Sequence, residues 1–230
     1  MSDRFLLPFR DRAEAGRRLA AALSSYRQED CVVLALPRGG VPVADQVAQA
    51  LAAPLDLLLV RKIGVPWHPE LALGAVVDGG APVVVRNDEV IRASGVDERE
   101  FQAICTAELG EIERRRRLYL QGTEALDTQG HVVIVIDDGI ATGATIRAAL
   151  RAIRKRDPKK LVLAVPVAPR EAVAELRAEA DEIVCLAMPE PFRAVGYFYD
   201  DFEQVSDADV IAIMARYHPE LPKRHKGAGM

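Results

Sequence analysis

Val133-Ile134-Val135-Ile136-Asp137-Asp138-Gly139-Ile140-Ala141-Thr142-Gly143-Ala144-Thr145 is the stretch on which the rest of this chain is read. Its first four residues are branched and apolar, the composition of a strand buried on both faces. Two carboxylates stand where that strand ends, and a loop of small residues leads into a helical pattern over 144–156. A turn of this kind points backbone N–H groups and the positive end of a helix dipole at one place, which suits a phosphate. Gly139 and Gly143 let the main chain approach closely, and Thr142 and Thr145 add hydroxyl donors. Asp137 and Asp138 can accept hydrogen bonds from ribose hydroxyls. The stretch describes a cradle for a sugar phosphate. No Lys follows Gly143, which excludes a Walker A loop, and no G-x-G-x-x-G follows an expected strand.

Outward from this stretch, apolar runs and helical patterns alternate. Strands are expected at 31–36, 55–60, 82–86, 160–167 and 182–186. An amphipathic helix begins at Asp11, with Ala15, Leu19, Ala22 and Tyr26 on one stripe. Further helices are expected at 41–51, 97–121, 170–178 and 207–217, the longest with Phe101, Ile104, Cys105, Leu109, Ile112 and Tyr119 inward. Residues 61–80 have no clean period and are rich in Gly and Pro, so they read as a long loop. The alternation implies an α/β fold, a central parallel sheet flanked by helices. One domain over 1–218 is expected, with a small C-terminal hood at 187–205 and a disordered tail at 219–230. Ligands of such sheets bind beyond the carboxyl ends of the strands, so the loops after Leu36, Val60, Ile136 and Val167 should gather on one edge.

Bulk composition excludes some alternatives. Half of the 230 residues are hydrophobic, ordinary for a globular protein with a substantial core. A net charge of −4 gives no reason to expect a nucleic acid or an anionic membrane as partner. Cys31, Cys105 and Cys185 are odd in number and lack a C-x-x-C, which suits small buried hydrophobes in a reduced compartment. With no signal-peptide core and no run of membrane-spanning length, a cytoplasmic protein is expected. The apolar composition permits a homodimer.

The thirteen residues quoted above resemble the phosphoribosyl-pyrophosphate (PRPP) motif of the type I phosphoribosyltransferases: four hydrophobics, two acids, then a loop ending Thr-Gly-x-Thr. Pro37-Arg38-Gly39-Gly40 resembles the pyrophosphate loop of that family, most closely its xanthine-guanine members. The resemblance implies transfer of a 5-phosphoribosyl group from PRPP to a nitrogenous base, with release of pyrophosphate and with Mg²⁺ as cofactor. Residues Gly139, Ile140, Ala141, Thr142, Gly143, Ala144 and Thr145 would surround the 5′-phosphate. Asp137 and Asp138 would hold the ribose diol and help seat the metal, and Arg38, Gly39 and Gly40 would stabilise the departing pyrophosphate.

Read from the residues, Gly39 and Gly40 also free the backbone for an anion nest, and Arg38 can bind phosphate bidentately. Arg61 and Lys62, at the end of the second expected strand, could reach the same anion. Residues 63–80 occupy the place of the family's flexible catalytic loop, where His68 or Glu70 could act as general acid/base. The segment from Pro191 to Phe202 resembles the hood of hypoxanthine-guanine enzymes. This implies Phe192 as the residue stacking on the base and Asp200 as a metal-side ligand, with an aromatic mini-core as the plainer reading. Arg114 to Arg117 read as a solvated run compensated by Glu111 and Glu113.

Two departures speak against hypoxanthine or guanine as acceptor. Ala141 stands where those enzymes carry an Asp, and Pro166 stands where they place a Lys to read the 6-oxo group. The acceptor is therefore left open. The main rival is a non-catalytic PRPP- or nucleotide-sensing regulator of the same fold, followed by a nucleic-acid-binding regulator. A hydrolase of another class lacks a G-x-S-x-G elbow.

Overall fold

The computed structural model of the chain describes residues 7–78, 82–121 and 123–218, without the side chains at 69 and 70. The tail expected at 219–230 lies outside the described residues. Five strands form one parallel sheet in the order β2-β1-β6-β7-β8. They are β1 (Cys31–Ala35), β2 (Leu55–Leu57), β6 (Val132–Ile136), β7 (Lys160–Val167) and β8 (Glu182–Ala187). A second sheet, antiparallel throughout, holds β3 (Val60–Val65), β4 (His68–Val77) and β5 (Val83–Arg86).

The parallel sheet is covered on both faces, and the alternation of side chains along β6 shows why its sequence is unbroken in apolar character. Val132, Ile134 and Ile136 face a core shared with α1 (Arg12–Ala22), α2 (Gly40–Leu51), α4 (Glu98–Leu120) and α7 (Asp207–Met214). Val133 and Val135 face the other, built with α5 (Ala144–Arg154) and α6 (Arg170–Leu176). Phe101, Cys105, Ile112 and Tyr119 of α4 are buried, with Ile104 and Leu109 packed against them, as the 3.6-residue period predicts. Side chains fix several helix starts: Asp11 caps α1, and capping boxes open α4 (Asp97 with Glu100) and α7 (Ser206 with Asp209).

Three expectations are corrected. The apolar run at 55–60 is not one strand: β2 ends at Leu57, and Val60 starts β3 in the other sheet. Leu58 and Leu59 between them are buried, so hydrophobicity carries no sign of the switch. The supposed loop at 61–80 is largely the β3–β4 hairpin, whose register shifts around Gly64 break the period that a strand would show. The expected strand at 82–86 forms as β5 but pairs antiparallel with β4, outside the parallel sheet. A short helix, α3 (Asp88–Ser94), follows it where no element was expected. Among the described residues no helix is long and apolar enough to cross a membrane.

Ile134 is fully buried on the central strand. Ile134→Ala should lower the free energy of unfolding by roughly 2–5 kcal/mol, and Ile134→Val by about 0.5–1.5 kcal/mol, in denaturant titrations.

Candidate functional site

The turn after β6 is rigid on the inside and open on the outside. The Ile140 N–H donates to the Val167 carbonyl at 2.9 Å and its side chain is 1% exposed, so Ile140 anchors the loop and does not face the cradle. Gly143 has φ of 75°, the left-handed region that glycine tolerates, and no side chain caps the α5 helix it begins. The Arg147 N–H donates to the Gly143 carbonyl at 2.8 Å, which leaves the earlier amides of this end without intrahelical acceptors. Ala141, Thr142, Ala144 and Thr145 around it are exposed. Unmet amides, two hydroxyls and a helix dipole therefore face outward together, as an anion requires.

Asp137 and Asp138 stand beside this turn. The Asp138 amide donates to Asp137 Oδ1 at 2.9 Å. Burial, and then the neighbouring charge of Asp138, pushes the Asp137 carboxyl well above the usual carboxylate range. Asp138 Oδ2 accepts from Arg12 Nε at 2.7 Å, both side chains being largely buried. The two glycines after Arg38 pack on this pair. A Cβ on Gly39 would fall on the Asp138 carboxylate, and one on Gly40 would lie 2.7 Å from the Ile136 carbonyl oxygen. Their bareness is needed for close approach. The expected nest is correspondingly reduced, because the Gly40 N–H already donates to the Leu36 carbonyl at 3.1 Å.

The cationic groups expected here are only partly gathered. Arg61 lines a cleft of about 120 Å³ together with Pro37, Arg115, Asp137 and Thr145, and its Nε also meets Glu108 at 2.6 Å. Arg38 is turned towards α7, its Nη1 being 3.3 Å from Asp207 Oδ1. The same oxygen accepts from the Tyr119 hydroxyl at 2.7 Å, and burial with that carboxylate pushes the Tyr119 phenol up to about 12. Lys62 lines a different cleft, of about 310 Å³, between the antiparallel sheet and α5. His68 opens β4 at the exposed hairpin tip and lines none of these clefts. The Glu70 side chain lies outside the described residues.

Within the basic run, Arg114 and Arg115 pair with Glu111, and Arg117 with Glu113, as expected. Arg116 departs from that pattern: it is partly buried and donates to Asp78 Oδ2 at 2.6 Å.

On the other side of the turn, Ala141, Thr142, Arg170, Phe192 and Arg193 line a cleft of about 430 Å³. Phe192 packs against Phe198 with ring centroids 5.0 Å apart, so the aromatic mini-core is also real. Phe9, near the start of the described residues, pairs with the segment expected as the hood. The Phe9 N–H donates to the Phe198 carbonyl and the Asp200 N–H to the Phe9 carbonyl, both at 2.8 Å. At the Phe9 bridge Tyr199 is buried, and Asp200 in the bend that follows is exposed. Tyr199, not Asp200, reaches the acid pair: its hydroxyl donates to the Asp138 carbonyl at 2.6 Å. Burial raises the Tyr199 phenol and keeps it a donor. Among the described residues no three His, Cys, Asp or Glu side chains are grouped to hold a metal ion by themselves.

Arg12, Arg115 and Tyr199 were missed in the sequence. Each sits in a pattern with an ordinary explanation: a helix's polar face, a compensated basic run, an aromatic cluster. Gly39→Ala tests the packing on the acid pair. The added methyl should displace Asp138 and lower thermal stability by about 1–3 kcal/mol, read by calorimetric unfolding.

Comparison with known proteins identifies the family. Residues 6–201 match the family model described as a phosphoribosyl transferase domain. Two Mycobacterium tuberculosis proteins with a provisional phosphoribosyl transferase name are each 46% identical over 213 residues, 93% of this chain. The chain spans about half the length of these curated relatives, 48% of each. A ribose-phosphate pyrophosphokinase of Methanopyrus kandleri is 34% identical over 128 residues, 51% of this chain and 42% of that protein. Among solved structures, TT1426 from Thermus thermophilus superposes with a TM-score of 0.81 at 43% identity, covering 92% of this chain and 99% of that one. The parallel sheet, the acid pair at the end of β6 and the family match over most of its length place this chain in the phosphoribosyl transferase family.

Proposed function

We propose that the chain binds PRPP with Mg²⁺ and transfers its 5-phosphoribosyl group to a nitrogenous base, releasing pyrophosphate. The observation that carries this reading is the placement of an uncapped helix N-terminus and a carboxylate pair on one turn. The amides and hydroxyls of Thr142 to Thr145 suit a terminal phosphate, and the carboxylates on the same turn suit a vicinal diol. The acid pair offers hard oxygen donors that fit a magnesium ion, which Asp137 and Asp138 would hold together with oxygens supplied by the ligand. When bound, the ion supplies charge neutralisation at the leaving pyrophosphate. Asp200, exposed and lining none of the clefts described above, has no part in this reading.

In the reaction the bond from C1 to the pyrophosphate oxygen breaks, a C1–N bond forms, and the nitrogen loses a proton. Arg61 already lines the cleft beside Asp137, and Arg38 reaches the same region by leaving Asp207. Both would meet the charge that grows on the departing group. The cleft containing Phe192 is the place for the acceptor, and Arg170 and Arg193 are its basic groups. Ala141 offers it no carboxylate, which speaks against hypoxanthine and guanine. His68 and Glu70 are the hairpin residues available for proton transfer, and hairpin closure would be needed to deliver them.

Pyrophosphate release from Mg–PRPP, assayed against a panel of purine, pyrimidine and pyridine bases, tests the reading. At least one base should support turnover, with hypoxanthine and guanine inactive. Arg38→Ala should then lower kcat about 10²- to 10³-fold. Binding of PRPP with no release for any base would identify the sensing regulator instead.

A further inference from the structure

Arg12 is the cation on Asp138, and it comes from outside the motif. Its Nε donates to Asp138 Oδ2 at 2.7 Å, and its Nη1 donates to the Glu203 carbonyl at 2.7 Å. The guanidinium carbon lies 3.8 Å from the centre of the Phe202 ring, and the Arg12 side chain is only 11% exposed. Phe202 stacks on Tyr199 at 5.0 Å, and Tyr199 holds the Asp138 carbonyl. One residue is thus gripped twice, by its carboxylate from α1 and by its backbone from the hood. Helix α1 is itself fixed one turn further on. A Cβ on Gly16 would come 2.7 Å from the Val43 carbonyl oxygen of α2, so the two helices touch backbone to backbone there.

Building on the reading above, we propose that Arg12 is a positioning residue for the acid pair: it pins Asp138 by one oxygen, so that the other is presented to a ribose hydroxyl, and couples that geometry to the hood. A carboxylate has about four acceptor sites, and one N–H from Arg12 leaves most of them available. Oδ2 is enclosed between Arg12 and Gly39, which fixes the rotation of the group. Arg12 does not act as a latch that swings away when ligand arrives, because leaving Asp138 would also mean leaving Phe202 and Glu203. Lysine keeps the charge but lacks the planar fork that makes both hydrogen bonds and stacks on the ring. The coupling has a functional sense: the hood covers the acceptor cleft, so acid pair and acceptor cleft are set by the same contacts.

Calorimetric titration with Mg–PRPP, and separately with inorganic phosphate, tests the role in wild type, Arg12→Ala, Arg12→Lys, Asp138→Asn and the Arg12→Ala/Asp138→Asn double variant. Thermal unfolding checks each fold, and Arg12→Lys carries the comparison if Arg12→Ala does not fold. Arg12→Ala should weaken Mg–PRPP roughly ten- to a hundredfold, the worth of a hydrogen bond to a charged group. Arg12→Lys should recover part of that, inorganic phosphate affinity should not change, and Arg12→Ala should add little in the Asp138→Asn background. Equal or tighter Mg–PRPP binding by Arg12→Ala overturns the proposal. So does a parallel loss of phosphate affinity, or an undiminished effect in the Asp138→Asn background. Failure of the wild type to bind Mg–PRPP overturns the reading of the site, and this inference with it.

Discussion

Two carboxylates side by side at the end of a buried strand cannot both be charged without a cation and close packing, and the rest of this structure is arranged around that constraint. Asp138 receives Arg12, while Asp137 has its carboxyl raised by burial and by its neighbour. Charge removed from water needs partners of good geometry, or the desolvation cost dominates. Here the partners come from distant parts of the chain. Helix α1 supplies Arg12, the hood supplies Tyr199, and the turn after β1 supplies the bare surfaces of Gly39 and Gly40. The acid pair is thereby the meeting point of the N-terminal helix, the central sheet and the hood.

The cradle beside it follows the opposite rule. Where Asp11, Asp97 and Ser206 cap their helices, no side chain satisfies the start of α5. Unmet amides at a helix N-terminus are tolerated where water or an anion reaches them, and the exposed Thr142 and Thr145 mark this end as accessible. Clefts open on both sides of the turn, one under the hood with Phe192 and one beside Pro37, Arg61 and Asp137.

The parallel sheet was legible in the sequence because strands buried on both faces must be apolar without interruption, as β1 and β6 are and as β7 is beyond Lys160. The turn was legible because few residue types permit it. The antiparallel sheet was not. Its strands carry Gly64 and Gly74 and a shifted register, so they lack the period-2 signature, and Leu58 and Leu59 hide the passage between sheets. Arg12 and Tyr199 were illegible for another reason: their roles arise from tertiary contacts 126 and 61 residues away, and nothing local distinguishes them. Asp200 was favoured by motif likeness, whereas the bridge to Phe9 buries its neighbour Tyr199 and leaves Asp200 in an exposed bend.

A crystal structure of the chain with PRPP and Mg²⁺ tests the central claim most directly. The account predicts the 5′-phosphate within hydrogen-bond distance of the amides of residues 142–145, and the ribose hydroxyls on Asp137 and Asp138. A phosphate seated elsewhere, for example in the cleft lined by Lys62 and Arg147, with the turn after β6 empty, would contradict it.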